Sequence, residues 1–175
     1  TLFRSHPSES AAWSHSDHAW ALRMPTADNV LGDFNNASFS NNGVTSHFTT
    51  DGHDYFVETD GPDGKLTKYK IAYTVGVRPL QQYLVETGQG RLQALDTAWD
   101  VNRKAWYHLY PGMEVGAGNG LHWTGPYKNW QSRCAECHQT GFVKNYDPQQ
   151  KSYASHWAEL TISCESCQAA AIGPV

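Results

Sequence analysis

Residues 134–138 read Cys134-Ala-Glu-Cys137-His138, and this C-x-x-C-H stretch is the attachment signature of a c-type haem. Two thiols three residues apart on one turn can add to the two vinyl groups of one haem, and the next imidazole then reaches the iron as proximal ligand. A bound haem is also a large, flat apolar body around which neighbouring segments can order. The stretch therefore predicts a haem c bound through Cys134, Cys137 and His138.

A second cysteine pair follows as Cys164-Glu-Ser-Cys167, but Gln168 stands where the motif has its histidine. The side-chain carbonyl of glutamine is a hard, neutral oxygen and a poor ligand for iron. Three interpretations of this pair stay open. It attaches a haem that uses another axial ligand, it is a degenerate site with free or disulfide-linked thiols, or the sequence near this terminus is altered.

Structural zinc bound by all four cysteines is the alternative from metal chemistry. Zinc ribbons separate their two cysteine pairs by about 15–20 residues, whereas 26 residues separate Cys137 from Cys164. Zinc would also leave His138 without a role. A pure disulfide scaffold fits less well, because two cysteines three residues apart rarely bridge each other outside redox sites. Haem attachment explains the first motif best.

The composition is that of a globular domain with a cofactor. The 175-residue chain has 13 Lys and Arg against 17 Asp and Glu, a net charge of −4 that argues against non-specific binding to nucleic acid. Nine histidines accompany the four cysteines, and this proportion indicates metal or haem. No apolar run approaches the roughly 18 residues of a membrane-spanning helix, so no membrane span is expected.

The residue pattern predicts an α+β fold, with an antiparallel β-sheet region inserted between haem-binding helix and loop segments. Residues 7–22 are predicted to form a helix with His15 and His18 on one face, and residues 31–42 a loop. The alternation of apolar and polar residues after that loop indicates about six short strands. The dipeptide Asp51-Gly52 marks a hairpin between two of them.

These elements suggest one domain over residues 1–175. Its parts are an N-terminal segment 1–42, a β region 43–110 and a segment 111–175 that carries both cysteine motifs. The helix and the two cysteine motifs thus flank the sheet on either side along the chain.

A further histidine, His122, stands in a glycine-rich loop, 16 residues before His138. It could swing over a haem face, or it could be a turn histidine that bonds the backbone, and the spacing alone does not decide. The other histidines of the predicted sheet are expected to be surface or packed side chains; they are His47, His53 and His108.

The motifs together resemble a family of periplasmic multihaem c-type cytochromes related to the tetrahaem cytochromes of ammonia-oxidising bacteria. The resemblance runs through nearly the whole chain. Its main motifs are His122-Trp-Thr-Gly, Asn129-Trp130, Cys134-Ala-Glu-Cys137-His138, Lys144-Asn-Tyr-Asp147, Trp157 and Cys164-Glu-Ser-Cys167. The middle of the chain also matches, in Asp60-Gly-Pro-Asp-Gly-Lys65 and Pro79-Leu-Gln-Gln-Tyr-Leu-Val-Glu86.

The chain departs from the family pattern at both ends. The family opens with a further C-x-x-C-H, whereas here Leu2 and Ser5 replace the two cysteines and only His6 remains. The histidines that the family has in and after its last motif are absent beyond Cys167. His6 could still ligate an iron, but no thioether can form at Leu2 or Ser5.

The resemblance implies that residues 1–175 form one multihaem cytochrome c domain, with 1–42 as its N-terminal haem-ligand segment and 111–175 as its haem-attachment segment. It also implies electron transfer by covalently bound haem with bis-histidine ligation. His138 is the expected proximal ligand, His18 and His122 are candidate distal ligands, and His6 is a further proximal candidate. The thioether cysteines are Cys134, Cys137, Cys164 and Cys167. One haem c is expected at the first motif and two to three in all.

A periplasmic or extracellular location is expected, because covalent haem attachment takes place outside the cytoplasm. The expected partners are redox proteins, with self-association as an option, and an electron carrier is favoured over an enzyme. Two other functions stay open. A five-coordinate haem at Cys164 and Cys167 could act on a small nitrogen or oxygen species, or the chain could be a subunit of an extracellular cytochrome filament.

Overall fold

The computed structural model describes residues 6–168 and is dominated by β-structure. The predictions made at Leu2, at Ser5 and for the tail 169–175 lie outside the described residues. The strands run as β1 Ala37–Asn41, β2 Val44–Asp51, β3 Asp54–Asp60, β4 Leu66–Val75, β5 Leu80–Glu86, β6 Leu92–Ala94, β7 Thr97–Asp100, β8 Ala105–His108, β9 Tyr146–Asp147 and β10 Ser152–Tyr153.

Strands β1 to β8 form one antiparallel sheet in the described part of the chain. The order is β1-β2-β3-β4-β5-β7-β8, with β6 paired to β5 beside this path. Neighbours in the sheet are nearly all neighbours in sequence, so tight turns set the register of the first strands. A small second sheet pairs β9 with β10.

The sheet begins earlier than the predicted β region, because β1 lies inside residues 31–42, the predicted loop. The turn between β1 and β2 is Asn42-Gly43, and both residues have positive φ, 49° and 79°. This dipeptide is a strong hairpin signal, and the polar residues around it concealed the strand. The hairpin predicted at Asp51-Gly52 is confirmed, since β2 pairs with β3 there.

The main apolar core is aromatic and closes the curl of the sheet. Trp106 of β8 stacks on Phe48 of β2, with ring centroids 3.7 Å apart and planes inclined by 6°. Phe34, from the segment before β1, meets both rings edge-on. Because β2 and β8 lie near opposite ends of the strand order, this stack brings the two ends of the sheet together.

The helices are short. They are α1 Pro7–Ser14, α2 Trp130–Arg133, α3 Ala135–His138 and α4 Glu165–Gln168, with 3-10 helices at Asp17–Trp20 and Pro126–Lys128. The α component predicted for the fold is therefore confined to single turns, apart from α1.

The predicted helix 7–22 is wrong beyond Ser14. The Ser14 hydroxyl donates to the carbonyl of Ala11, and the Ser16 hydroxyl donates to the carbonyl of Trp13. Serine side chains that bond nearby carbonyls compete with helix propagation, and the chain turns at this point. His15 and His18 are both exposed, so they do not share a packed helical face.

A second apolar cluster joins the N-terminal segment to the C-terminal one. It contains Leu22, Leu84, Leu92, Ala94, Trp130 and Ala135 in its buried part. The segment after α3 then returns along itself, since Val143 and His156 exchange two backbone hydrogen bonds of 2.8 and 3.0 Å. The two-residue strand β10 lies in this returning segment.

Backbone contacts attach the C-terminal strand β10 to the turn between β5 and β6. The Tyr153 N–H donates to Gln89 O at 2.9 Å, and a Cβ added at Gly90 would fall against the Tyr153 carbonyl. Gly90 also has a φ of 69°, whereas nearby Gly88 has a φ of 94° and open space around it.

We predict that Gly90→Ala destabilises the protein by roughly 1–3 kcal/mol more than Gly88→Ala. Both substitutions put alanine in the left-handed region, and only the first adds a clash with β10. Urea unfolding of both variants and the wild type measures the difference. Equal losses would show that the turn does not contact the C-terminal segment.

Candidate haem-attachment site

The first cysteine motif forms two consecutive single turns of helix. The Asn129 side chain caps the first turn by accepting the Ser132 N–H at 3.0 Å. In the second turn the N–H groups of Cys137 and His138 both donate to Cys134 O, each at 3.1 Å. The two thiols and the imidazole therefore lie on one turn, as addition to one haem requires. Both thiols are free; Cys134 is half-buried and Cys137 is exposed.

The imidazole of His138 is held against a fixed indole. Its ring centroid lies 5.5 Å from that of Trp130, and the Trp130 Nε1–H donates to Gln139 Oε1 at 3.0 Å. Nδ1 of His138 is buried and has no hydrogen-bond partner among the described residues. Burial lowers the pKa of His138 and so favours the neutral imidazole, the form that binds iron.

A buried ion pair stands beside the motif. Lys128 Nζ lies 2.7 Å from Asp96 Oδ1, and both side chains are more than nine-tenths buried. Burial lowers the pKa of Lys128, but the hydrogen bonds to Asp96 and Tyr110 outweigh it and raise the pKa above its ordinary value. Burial raises the pKa of the Cys134 thiol, partly offset by the Lys128 charge, so the thiol is protonated at neutral pH.

Three buried side-chain amides attach this motif to the sheet. Gln93 Nε2 of β6 donates to the carbonyls of Trp123 and Gly125, at 2.9 and 3.0 Å. Asn129 Nδ2 donates to Gln93 Oε1 at 3.2 Å. Gln131 accepts the Leu92 N–H at 3.1 Å and donates to Gly90 O at 2.6 Å. The position of the motif is thus determined by β6 and the turn before it.

The second cysteine motif shares one backbone hydrogen bond with the first, the bond from the second cysteine to the carbonyl of the first cysteine. The Cys167 N–H donates to Cys164 O at 3.3 Å, at the start of α4. Cys164 is half-buried and Cys167 is exposed, and both thiols are free. Gln168 closes α4, and its side chain lies outside what the structure describes.

Thr140 joins the two motifs. Its hydroxyl donates to Thr161 O at 2.8 Å, lies 2.6 Å from Ser166 Oγ and accepts the Ser163 N–H at 2.8 Å. Thr140 follows His138 by two residues, and Ser166 lies between Cys164 and Cys167. The 26 intervening residues therefore fold back and bring the two predicted attachment sites side by side.

The N-terminal segment reaches the same region. The Trp13 Nε1–H donates to Ile162 O at 2.7 Å, and the Thr161 hydroxyl donates to His18 O. His18 is thereby placed next to the segment that precedes Cys164, with its side chain exposed. His6, at the N-cap of α1, is also exposed.

His122 occupies a different environment. It is 2% exposed, with Nε2 3.0 Å from Asp60 Oδ2 and Nδ1 2.7 Å from Thr124 Oγ1. Both ring nitrogens are engaged, so binding of iron at His122 would require the exchange of one of these bonds. Burial alone would raise the pKa of Asp60, but the hydrogen bonds from His122 and Thr59 hold it below its ordinary value.

Sequence reasoning missed several polar residues that shape the site. Asp60 opens the Asp60–Lys65 stretch that matches the family pattern, but nothing in the sequence paired it with His122, 62 residues away. Asp96, Lys128 and Thr140 gave no local signal either, because their partners are distant in sequence. Only the folded chain shows which of them meet.

We predict that Thr140→Val destabilises the protein by roughly 1–3 kcal/mol, because the substitution keeps the shape and leaves the buried Ser163 N–H without an acceptor. Thr67→Val, at an exposed position of β4, is the matched control and is expected to be near neutral. Urea unfolding measures both. Equal effects of the two substitutions would contradict the joining role of Thr140.

We predict that Asp60→Asn lowers stability at neutral pH and that this loss shrinks as the pH falls. The pKa of Asp60 is lower in the folded chain than its ordinary value of 3.8, so its contribution is present above that value and disappears as the folded carboxylate is protonated. Thermal unfolding of both proteins between pH 7 and pH 3 measures the difference. Asp54→Asn, which removes an exposed carboxylate, is the control, and a loss independent of pH would contradict the prediction.

Comparison with known proteins gives two similarities. Residues 101–169, less than half of the chain, match the family described as cytochrome c554 and c-prime. The fold is similar to the crystal structure of the outer cell wall cytochrome OcwA, with 19% sequence identity and a TM-score of 0.53. The match covers 94% of this chain and 29% of that one, so this chain spans well under half the length of OcwA.

The similarity to OcwA concerns the fold alone at this level of identity. The search of curated proteins gave no match. The matched region contains both cysteine motifs. It also contains Lys128, Asn129 and Trp130, which precede the first motif. The chain is thus similar to cytochrome c554 and c-prime over residues 101–169 and to an outer cell wall cytochrome in fold.

Proposed function

We propose that this chain transfers electrons through haem c attached at Cys134 and Cys137 and ligated by His138. The observation that carries the proposal is the single turn on which two free thiols and a half-buried, neutral imidazole meet. The similarity of residues 101–169 to cytochrome c554 and c-prime supports it. A haem in this position supplies a one-electron carrier, which the side chains of the protein do not.

The residues around the turn have defined roles in this proposal. Trp130 packs against the His138 ring at an interplanar angle of 58°, and the indole is itself held in place because it is buried and its N–H is bonded to Gln139. Ala135, fully buried in the second apolar cluster, anchors the turn to the sheet. A rigid, preformed site of this kind reduces the rearrangement that accompanies electron transfer.

A second haem at Cys164 and Cys167 is part of the proposal. Support comes from the backbone hydrogen bond that the two motifs share and from the contacts of Thr140 that bring them together. Gln168 leaves the proximal position of this haem without histidine.

Bis-histidine ligation is proposed for at least one haem. The exposed His18 and His6 can supply an imidazole without breaking a hydrogen bond that the structure shows. His122 remains a candidate at the cost of its bond to Asp60 or Thr124. His18 is favoured, because its backbone is already tied to the segment before Cys164.

The chain is proposed to act outside the cytoplasm with other redox proteins as partners. OcwA is named as an outer cell wall protein, which agrees with this location. No helix within residues 6–168 is long and apolar enough to cross a membrane.

We predict that the intact mass of the protein, matured in a host that attaches haem c, exceeds that of the polypeptide by the mass of one haem for each occupied motif. The double variant Cys134→Ala/Cys137→Ala loses one haem. The separate double variant Cys164→Ala/Cys167→Ala also has one haem fewer than the wild type when the second motif carries a haem. A wild-type mass equal to that of the bare polypeptide would refute the function.

Absorption and EPR spectra of the ligand variants separate electron transfer from the enzymatic alternative. His138→Ala is expected to convert one low-spin haem to high spin, whereas His53→Ala, in an exposed turn, is the control and leaves the spectra unchanged. A high-spin haem already present in the wild type would favour an open iron at the motif that ends in Gln168. Such a site could bind a small nitrogen or oxygen species.

A further inference from the structure

The segment that leads into the first cysteine motif carries a lysine that is shielded from solvent. Lys128 ends the 3-10 helix Pro126–Lys128, and its side chain is 8% exposed. The backbone N–H of Lys128 donates to Gly125 O at 3.2 Å, and the next residue, Asn129, caps the helical turn that ends directly before Cys134. That four-residue turn is only about 6 Å long. A buried positive charge therefore lies close to the proposed thioether bond.

One carboxylate balances this charge. Lys128 Nζ lies 2.7 Å from Oδ1 of Asp96, and the Asp96 side chain is 5% exposed. Apart from this ion pair, the carboxylate has no hydrogen-bond partner among the described residues. The ammonium also lies 4.4 Å from the centroid of the Tyr110 ring, whose face attracts a cation. Each charge of the pair is thus compensated mainly by the other.

Burial lets the field of this pair act on the motif with little screening. Salt screens exposed charges over about 8–10 Å, but it screens a buried pair much less. The Lys128 ammonium already acts on the motif, because it lowers the pKa of the Cys134 thiol against the effect of burial. A haem gains one electron on reduction, so a nearby cation favours the reduced form and a nearby carboxylate favours the oxidised form.

We propose that Lys128 and Asp96 set the reduction potential of the haem attached at Cys134 and Cys137, with Lys128 raising the potential and Asp96 lowering it. The inference rests on the proposed function, since it requires haem at that motif. Neither residue is a ligand of the iron. Both act through their charge, as burial and groups outside the ligand shell do at other haem sites.

The test is a potentiometric titration of the haem-loaded protein at pH 7, carried out on the wild type, Lys128→Met, Asp96→Asn and the double variant. Lys128→Met is expected to lower the midpoint potential of one haem, whether or not Asp96 then takes up a proton. Asp96→Asn is expected to raise it. Each shift is expected to be about tenfold in the equilibrium constant for reduction, about 59 mV for one electron. The double variant is expected to lie between the two single variants.

The opposite signs separate an effect of charge from a loosened fold. A substitution that only loosens the fold admits water to the haem, and water favours the more highly charged oxidised form in both single variants. Shifts of the same sign, or no shift in a folded variant, would overturn the proposal. If only lysine variants fold, Lys128→Arg decides, because it keeps the charge and must then keep the wild-type potential.

An exposed ion pair is the matched control. Lys65 Nζ lies 3.7 Å from Asp63 Oδ2, with side chains that are 83% and 57% exposed, so Lys65→Met and Asp63→Asn are expected to leave the potentials unchanged. The affected haem is the one that the double variant Cys134→Ala/Cys137→Ala lacks. Haem at this motif with a potential that ignores Lys128 and Asp96 would refute this inference alone, whereas an intact mass without haem there would refute the proposed function as well.

Discussion

The attachment of the haem motif to the sheet depends on three buried amides, those of Gln93, Asn129 and Gln131. Each is at most 5% exposed, and their hydrogen bonds connect β6 to the turn at Gly125 and to the helical turns that follow. A buried amide left without partners costs about 1–3 kcal/mol, and Asn129 bonds both Gln93 and Gln131, so the loss of one side chain leaves partners of the others unsatisfied. This requirement fixes where Cys134 begins its turn, because Gln131 and Asn129 belong to the preceding turn of the same segment.

Local sequence signals predicted the features that adjacent residues encode, and they missed features that depend on competing or distant interactions. The Cys134–His138 turn and the hairpin at Asp51-Gly52 are encoded by adjacent residues, and both were found. The early end of α1 depends on serine hydroxyls that compete with the helix, and the strand Ala37–Asn41 was concealed by its polar composition. Helical spacing of residues and a run of polar residues each indicate only a local structural preference. Contacts elsewhere in the fold can override that preference.

The site itself could be predicted only in part for the same reason. The four cysteines and His138 lie in motifs, but the hydroxyl of Thr140 joins both motifs through partners more than 20 residues away. His122 shows the opposite case. Its sequence context suggested a haem ligand, whereas in the fold its side chain is buried and bonded to Asp60. No argument from sequence spacing could anticipate that bond. Pairing across the sheet therefore decides which histidines keep a free nitrogen.

The buried pair of Asp96 and Lys128 connects the sheet to the segment that leads into the first cysteine motif. A buried ion pair contributes little net stability, because desolvation offsets most of the attraction, yet loss of one partner is costly. The pair thus acts mainly on position: it holds Lys128 at the end of a 3-10 turn, directly before Asn129, with the ammonium 4.4 Å from the Tyr110 ring centroid. The charge on Asp96 therefore acts through Lys128 on the environment of Cys134, because the Lys128 ammonium partly offsets the rise that burial causes in the pKa of that thiol.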